Sequence, residues 1–370
     1  MGGIRIARVF GIPIYLHATW FVVFLLVALT LNATLAAAAP GVGPIPRWVA
    51  AVATALLFFG SILLHELGHS LLARRYRIPV RSITLFFFGG VAEIERDAPT
   101  ARAELEIAIA GPITSALLAL GFSGLARVFA ADSADALMFA WLGRINLSVA
   151  VFNLLPGLPL DGGRVLRAWL WARHGDATRA TQTAARVGQT LAYALIGVGA
   201  AAALAGGSAI GGLWLAFIGW FLLTASAASA RQAQVDASLA GLRARDLLSG
   251  DIAWVDAAAS VGSFARELVM RGRRWALVGG SGIASGIVTI SDVKRVAARE
   301  WDLTPVASIA TPLRAIVTSP PDASVRDLLQ LMGSREVNQI PIVEGERIIG
   351  AVTREAVLQA IQVRASGALA

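Results

Sequence analysis

The sequence contains no cysteine, and lysine occurs once, at Lys294. Without cysteine there can be no disulfide framework, no thiolate metal site, no iron–sulfur cluster and no cysteine nucleophile. Charge is scarce as well. Asp, Glu, Lys and Arg make up 15% of the 370 residues, against a usual share of about 25%. Hydrophobic residues reach 56% and mean hydropathy is +0.67. That composition excludes an all-soluble enzyme, and its apolar content excludes an intrinsically disordered chain. The length allows two or three domains. Basic residues number 32 against 24 acidic ones, a net charge of +8. In so apolar a chain this excess points to loops beside anionic lipid rather than to nucleic acid.

Apolar runs cover roughly residues 14–35, 48–73, 105–129, 136–155, 183–204 and 210–229. Each is long enough, or nearly so, to cross a hydrocarbon core of ~30 Å, which takes about 20 helical residues. The first is too long for the apolar part of a signal peptide and is followed by more spans, so it reads as a retained helix. Arg5 and Arg8 precede the first run, Arg74, Arg75, Arg77 and Arg81 follow the second, and Arg164, Arg167, Arg173 and Arg179 follow the fourth. Arg231 follows the sixth, while the opposite loops hold Arg47 against Asp132 and Asp135. Positive loops stay inside, so both termini are expected in the cytoplasm of a multi-pass cell-membrane protein.

Two segments break the helical pattern. Residues 80–95 (VRSITLFFFGGVAEIE) set β-branched and aromatic residues around Gly89-Gly90, a hairpin signal in a stretch apolar enough to dip into the membrane. Bare strand edges cannot face lipid, so such a hairpin must be buried against protein or line a cavity. Residues 153–164 (NLLPGLPLDGGR) end the fourth run in an irregular segment rich in proline and glycine. After Arg231 the charges are spaced as in a soluble domain. There Ser260-Val261 and Ile287-Val288-Thr289 recur as Ser324-Val325 and Ala351-Val352-Thr353, at a constant offset of 64 residues. Each copy reads as helix, strand, strand, helix, a pair of small α+β units built to pack together. The expected architecture is a polytopic α-helical membrane protein of about six transmembrane helices with a re-entrant β-hairpin. A soluble tandem α+β module follows it. The expected boundaries are 1–230 for the membrane domain, 231–241 for a linker and 242–370 for the module, with copies at about 242–304 and 305–370.

His65-Glu66-Leu67-Gly68-His69 lies inside the second run. On a helix, positions i and i+4 share a face, so both imidazoles can grip one ion with Glu66 beside it. Ionisable groups inside a span are costly and functional by default; the plain alternative is a satisfied polar network between helices. A catalytic zinc takes three protein ligands and keeps one open position. The third ligand must come from His17, His174 or a carboxylate. Asp161 is the best placed, at a depth like that of His69, although an aspartate after Pro-Leu also suits a helix N-cap. His174 sits in a loop-like context and His17 at the start of the first run.

HELGH at 65–69 and NLLPGLPLDGG at 153–163, with lesser support from FFFGGVAEIE at 86–95 and AIAGPITS at 108–115, resemble the site-2 proteases, intramembrane zinc metalloproteases. The specific match covers about residues 50–165. The six-span layout and paired C-terminal repeat resemble the bacterial and archaeal branch that ends in two CBS units. The resemblance implies one Zn2+ per chain on His65, His69 and Asp161, Glu66 as catalytic base, and Asn153 at the scissile carbonyl or its oxyanion. Asn153 could instead satisfy backbone groups around Pro156, and the 80–95 hairpin could dock substrate or merely plug the site. Ser115 departs from a common asparagine, which weakens a role for that position. No insert between spans is large enough for a PDZ domain. In a CBS pair a Thr and an Asp three residues later hold a ribose. Thr289 and Asp292 keep that pair, whereas Ala356 follows Thr353. At most one well-formed site for ATP, ADP or AMP is implied, and such modules also serve only to form a homodimer. The implied substrate is a single-span membrane-tethered regulatory protein: an anti-sigma factor, a pro-sigma factor or a transcription factor. A CBS-regulated divalent-cation transporter is the alternative, although it has no need of Glu66 between two ligands.

Overall fold

The computed structural model describes residues 3–365 except 88, 131–132, 206–208, 249–252, 271–274, 281–282 and 346. Asp132, cited above for orientation, lies outside the described residues. The chain divides into two compact units, Met1–Ala233 and Gln234–Ala370.

The first unit begins with an expectation that fails. Residues 14–16 are strand, not the start of a helix. β1 (Ile4–Val9) and β2 (Ile12–Leu16) form an antiparallel hairpin. Ile12, Ile14 and Leu16 alternate inward and are buried. His17 then caps α1 (Ala18–Ala38), its Nδ1 accepting the Thr19 amide at 3.3 Å. α2 (Pro44–Arg75) opens on a proline, which lacks only an amide proton the first turn cannot use, and closes on Arg74 and Arg75, favourable at a helix C-terminus.

β3 (Val80–Phe86) and β4 (Gly89–Ile94) are the hairpin read from the sequence, and β3 also pairs in parallel with β2. The resulting order is β1-β2-β3-β4. One face of the sheet packs Ile12, Ile14 and Ile83 on Leu67 of α2. β4 is the free edge on the site side, which is where an unpaired strand edge inside a membrane is tolerable.

α3 (Ala101–Ala126) and α4 (Ala134–Asn153) are capped by Thr100 and Ser133, each accepting an amide at 3.2 Å. α5 (Asp161–His174) stops at Gly175 in the left-handed region, φ 72°. α6 (Ala177–Leu204) and α7 (Ala209–Leu239) complete the set. Six of the seven helices, all but α5, are long and apolar enough to cross a membrane. Their outward faces carry large apolar residues, such as Leu120 at 72% and Ile210 at 83% exposure, the side a bilayer would solvate. Small residues let the helices approach: a Cβ at Gly143 of α4 would stand 2.4 Å from Ser123 Oγ of α3.

In the second unit β5 (Trp254–Val255), α8 (Val261–Met270), β6 (Trp275–Gly280), β7 (Ile283–Thr289), α9 (Ile290–Val293), α10 (Val306–Ile309) and β8 (Thr311–Pro312) precede α11 (Val325–Ser334), β9 (Gln339–Glu344), β10 (Arg347–Thr353) and α12 (Arg354–Ala365). The starts of α8, β6, β7 and α9 recur in α11, β9, β10 and α12 at the 64-residue offset seen in the sequence. The two copies meet where Leu277 and Ile287 pack on Ile348. The first unit is thus a polytopic bundle of membrane-length helices, and the second is a tandem α+β module.

Candidate metal centre

His65 and His69 lie one turn apart on α2, 5% and 4% exposed. Their inner nitrogens are occupied. His69 Nδ1 stands 2.7 Å from the Ile107 carbonyl oxygen and His65 Nδ1 2.9 Å from Ser115 Oγ. A carbonyl only accepts, so His69 carries its proton on Nδ1 and presents a lone pair at Nε2. Both Nε2 atoms point to one spot, 3.2 Å apart, where Asp161 Oδ2 arrives at 3.2 Å from His65 and 3.3 Å from His69.

Acceptors converging this closely repel unless something positive stands among them. Zinc bonds of about 2.0–2.1 Å in a tetrahedron place neighbouring ligand atoms about 3.3 Å apart, which the triangle matches. The donor set therefore fits a divalent ion. Among the described residues it is also the group of ionisable side chains whose ligand atoms lie within 4.8 Å of one another.

Asp161 reaches α2 because the segment after α4 folds tightly. Leu160 is the N-cap of α5, so Asp161 opens the helix rather than capping it, and its carboxylate is free to face the histidines. Gly162 and Gly163 permit that fold. A Cβ at either would come within 2.2 Å of backbone atoms of Leu154 or Gly157–Leu158. The Leu158 carbonyl is held by the Ser226 hydroxyl of α7, and its amide bonds the Ala184 carbonyl of α6 at 3.1 Å. α5 is tied to α3 by Glu104, which is 1% exposed and takes Arg164 at 2.9 Å and Arg167 at 3.0 Å.

Glu66 and Asn153 line the same cavity of about 910 Å3 as the three donors, with walls from α1, α2, the β3–β4 hairpin, α4 and α7. The Glu66 side chain lies against Gly90 of β4, where a Cβ would stand 2.4 Å from its Cγ. The Asn153 side chain has no hydrogen-bond partner among the described residues. His17 and His174 stay outside the cluster. His17 Nδ1 is 2.8 Å from Thr19 Oγ1, and His174 is exposed at the end of α5 with Nδ1 3.0 Å from the Leu170 oxygen. Thr289 and Asp292 are together in the second unit, Thr289 Oγ1 donating to Asp292 Oδ2 at 2.7 Å.

Two residues of α3 belong to the site although the sequence does not mark them as such. Ser115, whose departure from a common asparagine argues against a role, is the partner of His65. Gly111 faces the histidines so closely that a Cβ would lie 2.2 Å from His69 Nε2 and 2.6 Å from His65 Nε2. The signal present for both is AIAGPITS itself, a glycine-proline pair inside an apolar helix.

Residues 53–132 and 123–195 match peptidase family M50, and residues 306–363 match the CBS domain. Over 368 residues the chain is 34% identical to sll0528 of Synechocystis sp., covering 98% of this chain and 96% of that one. Rip3 of Mycobacterium tuberculosis is 35% identical over 368 residues, covering 97% and 93%. Both carry names that class them as zinc metalloproteases. The chain belongs to peptidase family M50. Among solved structures it is similar to the site-2 protease from Methanocaldococcus jannaschii at 29% identity and TM-score 0.45, over 62% of this chain and 96% of that one. This family member is an intramembrane metalloprotease that carries a CBS module. The three donors open onto a largely apolar cavity between helices long enough to cross a membrane.

Proposed function

We propose that this site-2 protease cuts the membrane segment of a single-span regulatory protein, with Zn2+ held by His65, His69 and Asp161. The observation that carries the reading is the triangle of three acceptors at 3.2–3.3 Å whose imidazoles are locked from behind by Ile107 and Ser115. A zinc ion in such a site supplies a Lewis acid and brings water to a pKa near 7.

The chain's own groups do the rest. Glu66 accepts the proton of the attacking water and passes it to the departing amine as the C–N bond breaks. Asn153, with its amide unengaged, donates to the carbonyl oxygen as negative charge builds there. The substrate must be extended before attack, since a helix hides its carbonyls in i→i+4 bonds. The free edge of β4 offers main-chain groups along the cavity on which an unwound segment adds as a further strand. By the arginine bias, the Arg74–Arg75 end faces the cytoplasm of the cell that carries the protein in its plasma membrane. The substrates are membrane-tethered anti-sigma factors, pro-sigma factors or transcription factors.

The test is metal content and cleavage on the same preparation. The full chain in detergent should hold about one zinc, and chelation should abolish cleavage of a single-span substrate, with zinc restoring it. Gly111→Ala should fail to retain the ion, because its methyl group would occupy the space between the two Nε2 atoms. It should still fold, since alanine favours a helix by about 1 kcal/mol over glycine. Full zinc in Gly111→Ala, or cleavage unaffected by chelation, would refute the assignment.

For the CBS module we propose adenine-nucleotide binding at Thr289 and Asp292 together with homodimerisation. Calorimetric titration of the full chain with ATP, ADP and AMP should give heat that Asp292→Ala removes. No heat from any nucleotide would leave dimerisation as the module's role.

A further inference from the structure

Arg144 sits in α4, a helix of 20 residues that crosses the membrane from Ala134 to Asn153. At 1.5 Å per residue it stands roughly 13–15 Å from either end, too far for its side chain to bring the charge out to an interface. It is exposed, and no hydrogen bond or ion pair holds it among the described residues. Its neighbours on the open face, Leu147 and Val151, are 54% and 58% exposed and apolar, as a lipid-facing surface requires. A bare guanidinium at this depth is costly and functional by default.

Among the described residues of the chain no carboxylate stands at the level of Arg144 to serve as its counter-ion. The acidic residues of its spans are Glu66, Glu104, Glu106, Asp135 and Asp236. Glu66 belongs to the metal-centre cavity. Glu104, Glu106 and Asp135 stand in the first two turns of their helices, and Asp236 stands in the last turn of α7. A second copy of the chain would bring no carboxylate to the level of Arg144 either, and the phosphates of lipid headgroups lie at the interfaces. What does reach that level is a protein segment on its way to the cavity. Trp141 and Ser148, one turn to either side of Arg144, line the cavity wall.

We infer that Arg144 reads the substrate: it pairs with an aspartate or glutamate inside the substrate's membrane segment. The inference rests on the protease reading above and adds a sequence preference to it. Arg144 is nine residues from Asn153, or about 13 Å along the helix. The acidic residue should therefore lie roughly four residues from the cut if the segment is extended, or nine if it is helical. It should be on the side leading away from the Arg74–Arg75 end.

The test uses the full-length protease in vesicles with designed single-span substrates that differ only by Glu or Gln at each of these positions. Cleavage is followed by mass spectrometry and zinc is measured alongside. The native chain should prefer the Glu substrate by on the order of tenfold in kcat/KM, the worth of a hydrogen bond to a charged group. Arg144→Gln should bring the Glu substrate down to the rate of its Gln twin. Arg144→Glu should invert the preference toward a Lys-bearing substrate. Equal rates on the twins with the native chain, or a Glu preference that survives in Arg144→Gln, overturns the inference and leaves the protease reading intact. A zinc-loaded native chain that cuts neither twin removes both.

Discussion

Glu66→Gln should keep its zinc and lose cleavage by a factor of about 10^2–10^4, the range general acid–base catalysis contributes. The two halves of that result have separate origins. Zinc retention follows from the donor set, His65, His69 and Asp161, to which Glu66 does not belong. Glutamine has nearly the same shape as glutamate and can still pack against Gly90 of β4, so the cavity wall is preserved. Cleavage is lost because an amide cannot take the proton of the attacking water. Metal analysis and single-turnover cleavage on one sample separate the halves. A variant that cuts at the parental rate would remove Glu66 from the proton's path. A variant that loses zinc would make Glu66 part of the metal's support.

The core of this site is legible in the sequence because its elements obey local rules. HELGH sits in an unbroken helical run, so the 3.6-residue period alone brings His65 and His69 to one face. Asp161 stands out because it follows a proline- and glycine-rich break at matching membrane depth. The six long helices are legible from length and apolarity.

What is not legible depends on contacts between segments distant in sequence. The end of β2, residues 14–16, merges into the first apolar run, since a short apolar stretch reads the same as strand or helix. Only pairing with β3 decides it, through Ile14 opposite Ile83. The hairpin at residues 80–95 is therefore visible in the sequence without the two strands that cover its other edge. Gly111 and Ser115 escape for the same reason. Nothing local marks a glycine as lying 2.2 Å, Cβ to Nε2, from a histidine 42 positions away. The residue type of Ser115 argues against it, yet a hydroxyl at that place suffices to hold His65 at 2.9 Å.

Glu104→Ala should destabilise the membrane unit by about 3–5 kcal/mol, the cost of removing one partner from a buried ion pair. The carboxylate is 1% exposed and serves two cations at once. Without it Arg164 and Arg167 lose their shared counter-ion, and the Arg167 Nε is already buried without a partner. The damage should not stop at stability. Arg164 is one helical turn from Asp161, so loosening α5 from α3 moves the third donor away from the histidines. Zinc affinity should fall together with resistance to unfolding. The half-buried neighbour provides the contrast. Glu106 pairs with Arg102 at 2.8 Å, where that arginine is 85% exposed, and accepts the Tyr76 hydroxyl, so Glu106→Ala should cost less, about 1–2 kcal/mol. Denaturant or thermal titration of the two variants in the same detergent, with bound zinc measured at each step, distinguishes them. If Glu104→Ala unfolds with the parental midpoint and full zinc, the ion cluster does not hold Asp161 in place, and the tight turn through Gly162 and Gly163 alone positions it.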